Sequence, residues 1–280
     1  MNDQPINDQN ALWVRHAPGD PVLKGVNWGG LKTLYIKEVR RFFKVQTQTV
    51  WAPAVTTLLF LAIFTVALGR AGRTVMGVPF ADFLAPGLIV MAMLQNAFAN
   101  ASFSLLVGKI QGNIVDYLMP PLSTGELITG LVGASVTRAF LVGFAVWLAM
   151  LVWPGVSVDV RFPLIAFCFG LMGALMLSFL GLMTSIWAEK FDHAAAVTNF
   201  VVTPLSLLSG TFYAVDSLSP AFQAVSHANP FFYVISGFRA GFLGVSDSPL
   251  LVGGLGLLAL NLALFAACYA LLKSGWKIKN

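Results

Sequence analysis

Ser217-Leu-Ser-Pro-Ala-Phe-Gln-Ala-Val-Ser-His-Ala-Asn-Pro-Phe-Phe-Tyr-Val-Ile-Ser-Gly-Phe-Arg-Ala-Gly-Phe-Leu-Gly244 is the stretch that decides the fold. Ser219-Pro220 and Asn229-Pro230 each read as a helix N-cap followed by proline at the first helical position. The second helix carries Phe231, Val234, Ile235, Phe238 and Phe242 and should stop at Gly244, a glycine just past the helix end. At about 1.5 Å per residue the two pieces are roughly 10 and 20 Å long. A hydrocarbon core is about 30 Å thick, so neither crosses it. Apolar helices of this kind at membrane depth are re-entrant, and backbone broken at that depth must be buried in protein or line a cavity.

Working outward, the chain has 280 residues, 57% hydrophobic and 10% charged. Soluble domains carry about a quarter charged residues, so the composition fits a polytopic membrane protein. Six spans are expected, at about 52–69, 83–107, 127–153, 163–187, 194–213 and 249–272. The ends of the chain, with Lys109 and Lys190, hold most of the 17 Lys and Arg. The opposite loops hold Arg70, Arg73, Arg161 and Arg239. Both termini should therefore be cytoplasmic, and the net charge of +5 is no nucleic-acid footprint. The first thirty residues lack an apolar h-region, so no cleavable signal peptide is expected. Cys168 and Cys268 fall inside spans and read as small buried hydrophobes.

The organisation is a polar tail over 1–28, an amphipathic helix over 29–50, a transmembrane domain over 51–273 and a short tail over 274–280. In the amphipathic helix, Leu31, Leu34, Tyr35, Val39, Phe42 and Phe43 form one face, and Lys32, Lys37, Arg40, Arg41 and Lys44 take the other. Between spans two and three, Ile114 and Leu118 share a face of a short helix over 111–120, which Pro120-Pro121 ends. Asp116 and Tyr117 should project from it. Ser123 and Glu126 form a capping box that starts span three.

Single residues add less. Arg138 lies near the middle of span three, where a charge needs a partner; Gln95, Asn96, Asn100 and Asn199 are the polar candidates. Its bland reading is a structural tie, and the functional one a contact along a path. Pro204 should kink span five. Glu189, Lys190, Asp192 and His193 crowd the loop before it and read as a solvated turn or as a second cytoplasmic contact. His16, His193 and His227 have no metal-ligand spacing, and no phosphate-binding G-x-x-x-x-G-K-[ST] loop is present.

The loop Asp116-Tyr-Leu-Met-Pro-Pro-Leu-Ser-Thr-Gly-Glu126 and the stretch from Phe200 to Gly244 resemble type-2 ABC exporter permeases, over about residues 25–275. The resemblance implies an all-α fold with six spans, a connecting helix at Leu31 to Lys44, a coupling helix at Gly112 to Met119 and a re-entrant outer hairpin over 218–244. It also implies a multi-pass permease of the bacterial cytoplasmic (inner) membrane, in contact with its lipid. Its partners would be a second permease copy and two ATP-binding ABC subunits, which would carry the ATP and Mg; the chain itself would hold no cofactor. On that footing Asp116, Tyr117, Glu126, Glu189, Lys190 and Arg40 are candidates for coupling to the ATPase. Arg138, Gln95, Asn199, Pro204 and Phe231 are candidates for the translocation path. Substrates of the drug, lipid or glycan class are implied. The competing readings are a self-contained channel or secondary carrier, which would want charged pairs inside spans, and an intramembrane lipid enzyme, which would want a His/Asp/Ser cluster.

Overall fold

The computed structural model describes residues 25–68 and 74–277. The tail up to Lys24, the loop arginines Arg70 and Arg73, and Lys279 lie outside the described residues. Helix α1 runs Trp28–Phe43, followed by a π-helical turn Thr47–Trp51 and α2, Ala52–Leu68. A two-residue hairpin, β1 Thr74–Val75 with β2 Val78–Pro79, leads into α3, Phe80–Ile110. Then come α4 Val115–Leu118, α5 Thr124–Leu151 and α6 Pro163–Trp187. Helix α7 Phe191–Val197, a second π-helical turn Thr198–Val202 and α8 Thr203–Leu207 follow as one helical run. Helices α9 Pro220–Ala228, α10 Pro230–Leu243 and α11 Leu250–Ser274 complete the chain.

Among the described residues, five helices are long and apolar enough to cross a membrane: Thr47–Ala67, α3, α5, α6 and α11. The expected fifth span is the exception. Its helical run ends at Leu207, not at residue 213, and 191–207 is only about 25 Å long. A proline sits where its hydrogen-bond pattern changes. Pro204 lacks the N–H that an α-helix needs, and the π turn ends just before it, widening the coil by one residue. The same pairing occurs at the other π turn, which precedes Pro53.

Helix α3 is the axis of the bundle: 83% of its most apolar window is buried, against 22% for Thr47–Ala67 and 17% for α11. It packs on α6, α5 and α10, with Leu84, Leu88, Leu94, Phe98, Val142, Leu177, Val234 and Ile235 in the common core. Helix α10 lies close against α6 because Gly241 has no side chain: a Cβ there would sit 2.5 Å from the Ala166 backbone nitrogen.

The outer pair forms as its sequence dictates. Proline opens both α9 and α10, the Asn229 side chain accepts from Phe231 N at 3.0 Å, and Gly244 ends α10 in the left-handed region at φ +77°. Ser219 occupies the N-cap of α9 but makes no side-chain cap bond. Ser123 and Glu126 form the expected capping box on α5. The helix expected over 111–120 is shorter, a single turn at Val115–Leu118, because Gly112 at φ +73° keeps the preceding residues out of the helix.

Candidate functional site: three polar stations along the bundle

The first station joins α1, α4 and the adjacent end of α3. The Asn27 side chain caps α1 by accepting from Gly30 N at 2.9 Å. Its own backbone N–H donates to Glu126 Oε1 at 2.5 Å, while Glu126 Oε2 accepts from Ser123 N at 2.7 Å. Both oxygens of Glu126 are thus occupied in tying the start of α1 to the start of α5. One turn after Leu34, Glu38 is fully buried. It accepts from Tyr117 Oη at 3.0 Å and from Ser104 Oγ at 3.0 Å, and pairs with Arg41 at 2.9 Å. Arg41 also donates to the Asn100 carbonyl at 2.9 Å and to its side-chain Oδ1 at 3.2 Å. Asn100 in turn donates to Ser135 Oγ at 3.0 Å. Three elements meet on one carboxylate. Burial and the neighbouring Glu38 carboxylate push the Tyr117 hydroxyl up from its ordinary value, so it stays protonated and donates.

This corrects the reading of Tyr117. It does not project from α4; it is 7% exposed, and Lys37 Nζ sits 3.7 Å above its ring. Asp116 does face outward, beside exposed Val115, Leu118 and Met119. Next to this apolar tip a groove of about 740 Å³ is lined by Lys37, Arg40, Lys44, Gln111 and Asn113. Glu38 left a signal in the sequence: Leu34, Glu38 and Phe42 share one stripe at four-residue spacing, an acid in line with the apolar face. Lys109 caps the end of α6, donating to the Ile186 carbonyl at 2.7 Å. Glu189 is exposed and pairs with Lys277 at 2.8 Å, which holds its carboxyl below the usual range; Lys190 is exposed at the start of α7.

The second station lies inside the bundle. Arg138 Nη2 donates to Asn96 Oδ1 at 2.8 Å, which selects Asn96 from the expected partners. Asn100 is engaged by Arg41 instead, and Asn199 is exposed on the second π turn. Asn96 and Gln95 line a cleft of about 300 Å³ between α2 and α3. Phe231, expected on a path, is buried in the core.

The third station was not anticipated. Arg239, expected in a loop, is fully buried in α10 and pairs with buried Asp247 at 2.5 Å, its guanidinium 3.8 Å over the Phe83 ring of α3. Burial pushes the Asp247 carboxyl up, outweighing the pull of Arg239. Arg239 also donates to the Gly210 carbonyl at 2.7 Å, Asn229 to the Leu205 carbonyl at 2.7 Å and Ser226 to the Leu208 carbonyl at 3.2 Å. These are carbonyls at and just past the end of α8, which a terminated helix leaves without partners. The hairpin side chains therefore cap the broken end of the α7–α8 run. No cluster of three His, Cys, Asp or Glu that could hold a metal occurs among the described residues.

The profile of the family described as ABC-2 type transporter matches residues 30–243. Inner membrane transport permease YadH of Escherichia coli (strain K12) is 36% identical over 253 residues, covering 90% of this chain and 98% of that protein. Nodulation protein J of Neorhizobium galegae is 28% identical over 198 residues, covering 68% of this chain and 71% of its own length. Nodulation protein J of Rhizobium meliloti (strain 1021) is 26% identical over 265 residues, covering 92% and 94%.

Proposed function

The chain belongs to the ABC-2 type transporter family, and on that premise we propose that it is the membrane permease of an ATP-driven exporter. In this reading it works as a pair of copies with two separate ATP-binding subunits, in the bacterial inner membrane with both termini cytoplasmic. Those subunits supply nucleotide hydrolysis with their own Mg. The cargo is an amphipathic molecule of the drug, lipid or glycan class. The run 191–207 serves as a sixth crossing, and α9–α10 forms a re-entrant outer gate. A self-contained carrier fits less well: of the arginines within the bundle among the described residues, Arg41 and Arg239 serve structural pairs, leaving Arg138 with the neutral Asn96.

The observation that carries the reading is the carboxylate of Glu38. A push on the exposed tip of α4 reaches α1 and α3 through Tyr117, Glu38 and Arg41, with little slack because every one of those groups is hydrogen-bonded. Helix α3 then carries the displacement across the bundle to Phe83, beneath Arg239 and the hairpin. The basic groove beside α4 suits an acidic surface on the motor, and the apolar tip suits a hydrophobic slot in it. The exposed apolar side chains Val55, Leu59, Ile63 and Val66 of α2 and Phe200 of the π turn suit a second copy or lipid.

The test is to co-express the chain with an ATP-binding ABC partner, purify the assembly and follow nucleotide-dependent efflux into inverted vesicles. The reading expects co-purification and ATP-dependent accumulation. Replacing Asp116 by Ala should weaken assembly or turnover without loss of membrane insertion. Transport that proceeds with no ATPase subunit present would establish the carrier instead.

A further inference from the structure

Arginines wholly or partly inside the bundle are treated in two ways. Arg41 has Glu38 at 2.9 Å and Arg239 has Asp247 at 2.5 Å. Arg138 has no carboxylate within ion-pair distance among the described residues. Its one hydrogen bond is to the neutral amide of Asn96, and its Nε is buried without a hydrogen-bond partner there. A guanidinium inside a span is expensive, and an amide shares its hydrogen bond without neutralising its charge. A purely structural tie would be expected to bring an acid, as it does at the other two arginines.

The place where an anion could enter is next to it. Asn96 lines the cleft between α2 and α3 and is hydrogen-bonded to Arg138, which is not itself a lining residue. Its Oδ1 is taken by Arg138 and its Nδ2 donates to the Ala92 carbonyl at 3.0 Å, leaving one amide hydrogen. Gln48, Thr56 and Gln95 add polar groups to the cleft, and Gln95 makes no hydrogen bond among the described residues. Phe60 and Met91 give it an apolar flank, and no acidic side chain lines it. About 300 Å³ matches a head group, not a whole lipid, so an attached chain would leave along the apolar flank.

We propose that this cleft binds the anionic head group, phosphate or carboxylate, of an amphiphile, with Asn96 and Gln95 on its wall and Arg138, hydrogen-bonded to Asn96, as the nearby cation. The proposal rests on the permease reading and names the charge class of its cargo. Guanidinium groups recognise phosphate and carboxylate through charge-assisted hydrogen bonds.

The test uses the assembled permease–ATPase complex in nanodiscs of zwitterionic lipid and radiolabelled dodecyl phosphate as probe. Saturable binding is expected, with little displacement by uncharged dodecyl maltoside. Arg138→Gln should weaken it by about tenfold or more, and Arg138→Lys by less, since it keeps charge but loses the fork. Gln95→Glu places a negative charge on the wall and should weaken binding by about tenfold while the complex melts as the parent does. Should Arg138→Gln fail to fold, Gln95→Glu decides. Competition by nanodiscs containing phosphatidylglycerol would mark the source as a lipid head group, and competition by inorganic phosphate alone would mark a free anion; either supports the site. Absence of saturable binding, or equal binding by the parent, Arg138→Gln and Gln95→Glu forms, overturns it. Nucleotide turnover measured on the same samples keeps the two claims apart: lost binding with intact turnover removes the anion site and leaves the permease reading standing.

Discussion

The two ends of the bundle each centre on a buried arginine–carboxylate pair, yet they are built differently. At the α1–α4 end, Glu38 spends both oxygens on three donors from three elements, and Arg41 keeps a quarter of its side chain accessible beside an open groove. At the hairpin end, Arg239 and Asp247 are enclosed, and each leaves a buried atom, Nε and Oδ1, without a hydrogen-bond partner among the described residues. The first arrangement is a partly wet hub that can pass a displacement between elements while every polar group stays bonded. The second is a dry clamp, holding α10, the following loop and the end of the α7–α8 run in one arrangement. Opening such a clamp exposes unpaired charge, which favours two discrete states over gradual motion.

The sharpest way to break this contrast is at the clamp. Arg239→Met alone should destabilise the protein by about 3–5 kcal/mol, because it strands a buried carboxylate. Adding Asp247→Leu should recover more than half of that loss, read as melting temperature in nanodiscs. Equal damage from the single and double changes would mean that the guanidinium's bond to Gly210, and not its ion pair, holds the hairpin. At the hub, Glu38→Gln should cost about 1.5–3 kcal/mol, since an amide still accepts from Tyr117 but no longer neutralises Arg41. Tyr117→Phe should cost about 1–2 kcal/mol, the loss of one hydrogen bond to a buried carboxylate. At the exposed Glu189–Lys277 pair, Glu189→Gln should leave melting unchanged at both low and high salt, because such pairs contribute little in water. A larger effect there would make the loop before α7 part of the force path.

Five of the six expected apolar spans, the proline openings of α9 and α10, the Gly244 stop and the capping box at Ser123 were legible in the sequence, because each is set by residues within a few positions of one another. What the sequence hid is long-range. Glu38 meets Ser104 and Tyr117 across 66 and 79 residues, so nothing near it in the sequence marked out its partners. Arg239 passed for a loop cation because its acid, Asp247, lies past the glycine that ends its helix. The early end of the α7–α8 run follows from side chains that cap it from α9 and α10, at separations of 18 to 29 residues. Hydropathy sees Leu207 to Tyr213 as more of the same span; the hydrogen bonds show where the helix stops.

The central claim is that the hub transmits the motor's cycle to the hairpin. Val225 on α9 is 51% exposed, whereas Val234 on α10 is fully buried, so Val225 is the position for a spin label. The decisive measurement is the distance between Val225 labels in the two copies of the assembled complex, by pulsed electron resonance, with the motor empty and with it trapped by ATP and vanadate. The account predicts that trapping shifts the distance in the parent complex. It predicts that the shift shrinks or disappears in Glu38→Gln while the ATPase subunits stay bound and still hydrolyse nucleotide. An identical shift in parent and Glu38→Gln complexes would show that the motor reaches the hairpin without passing through Glu38.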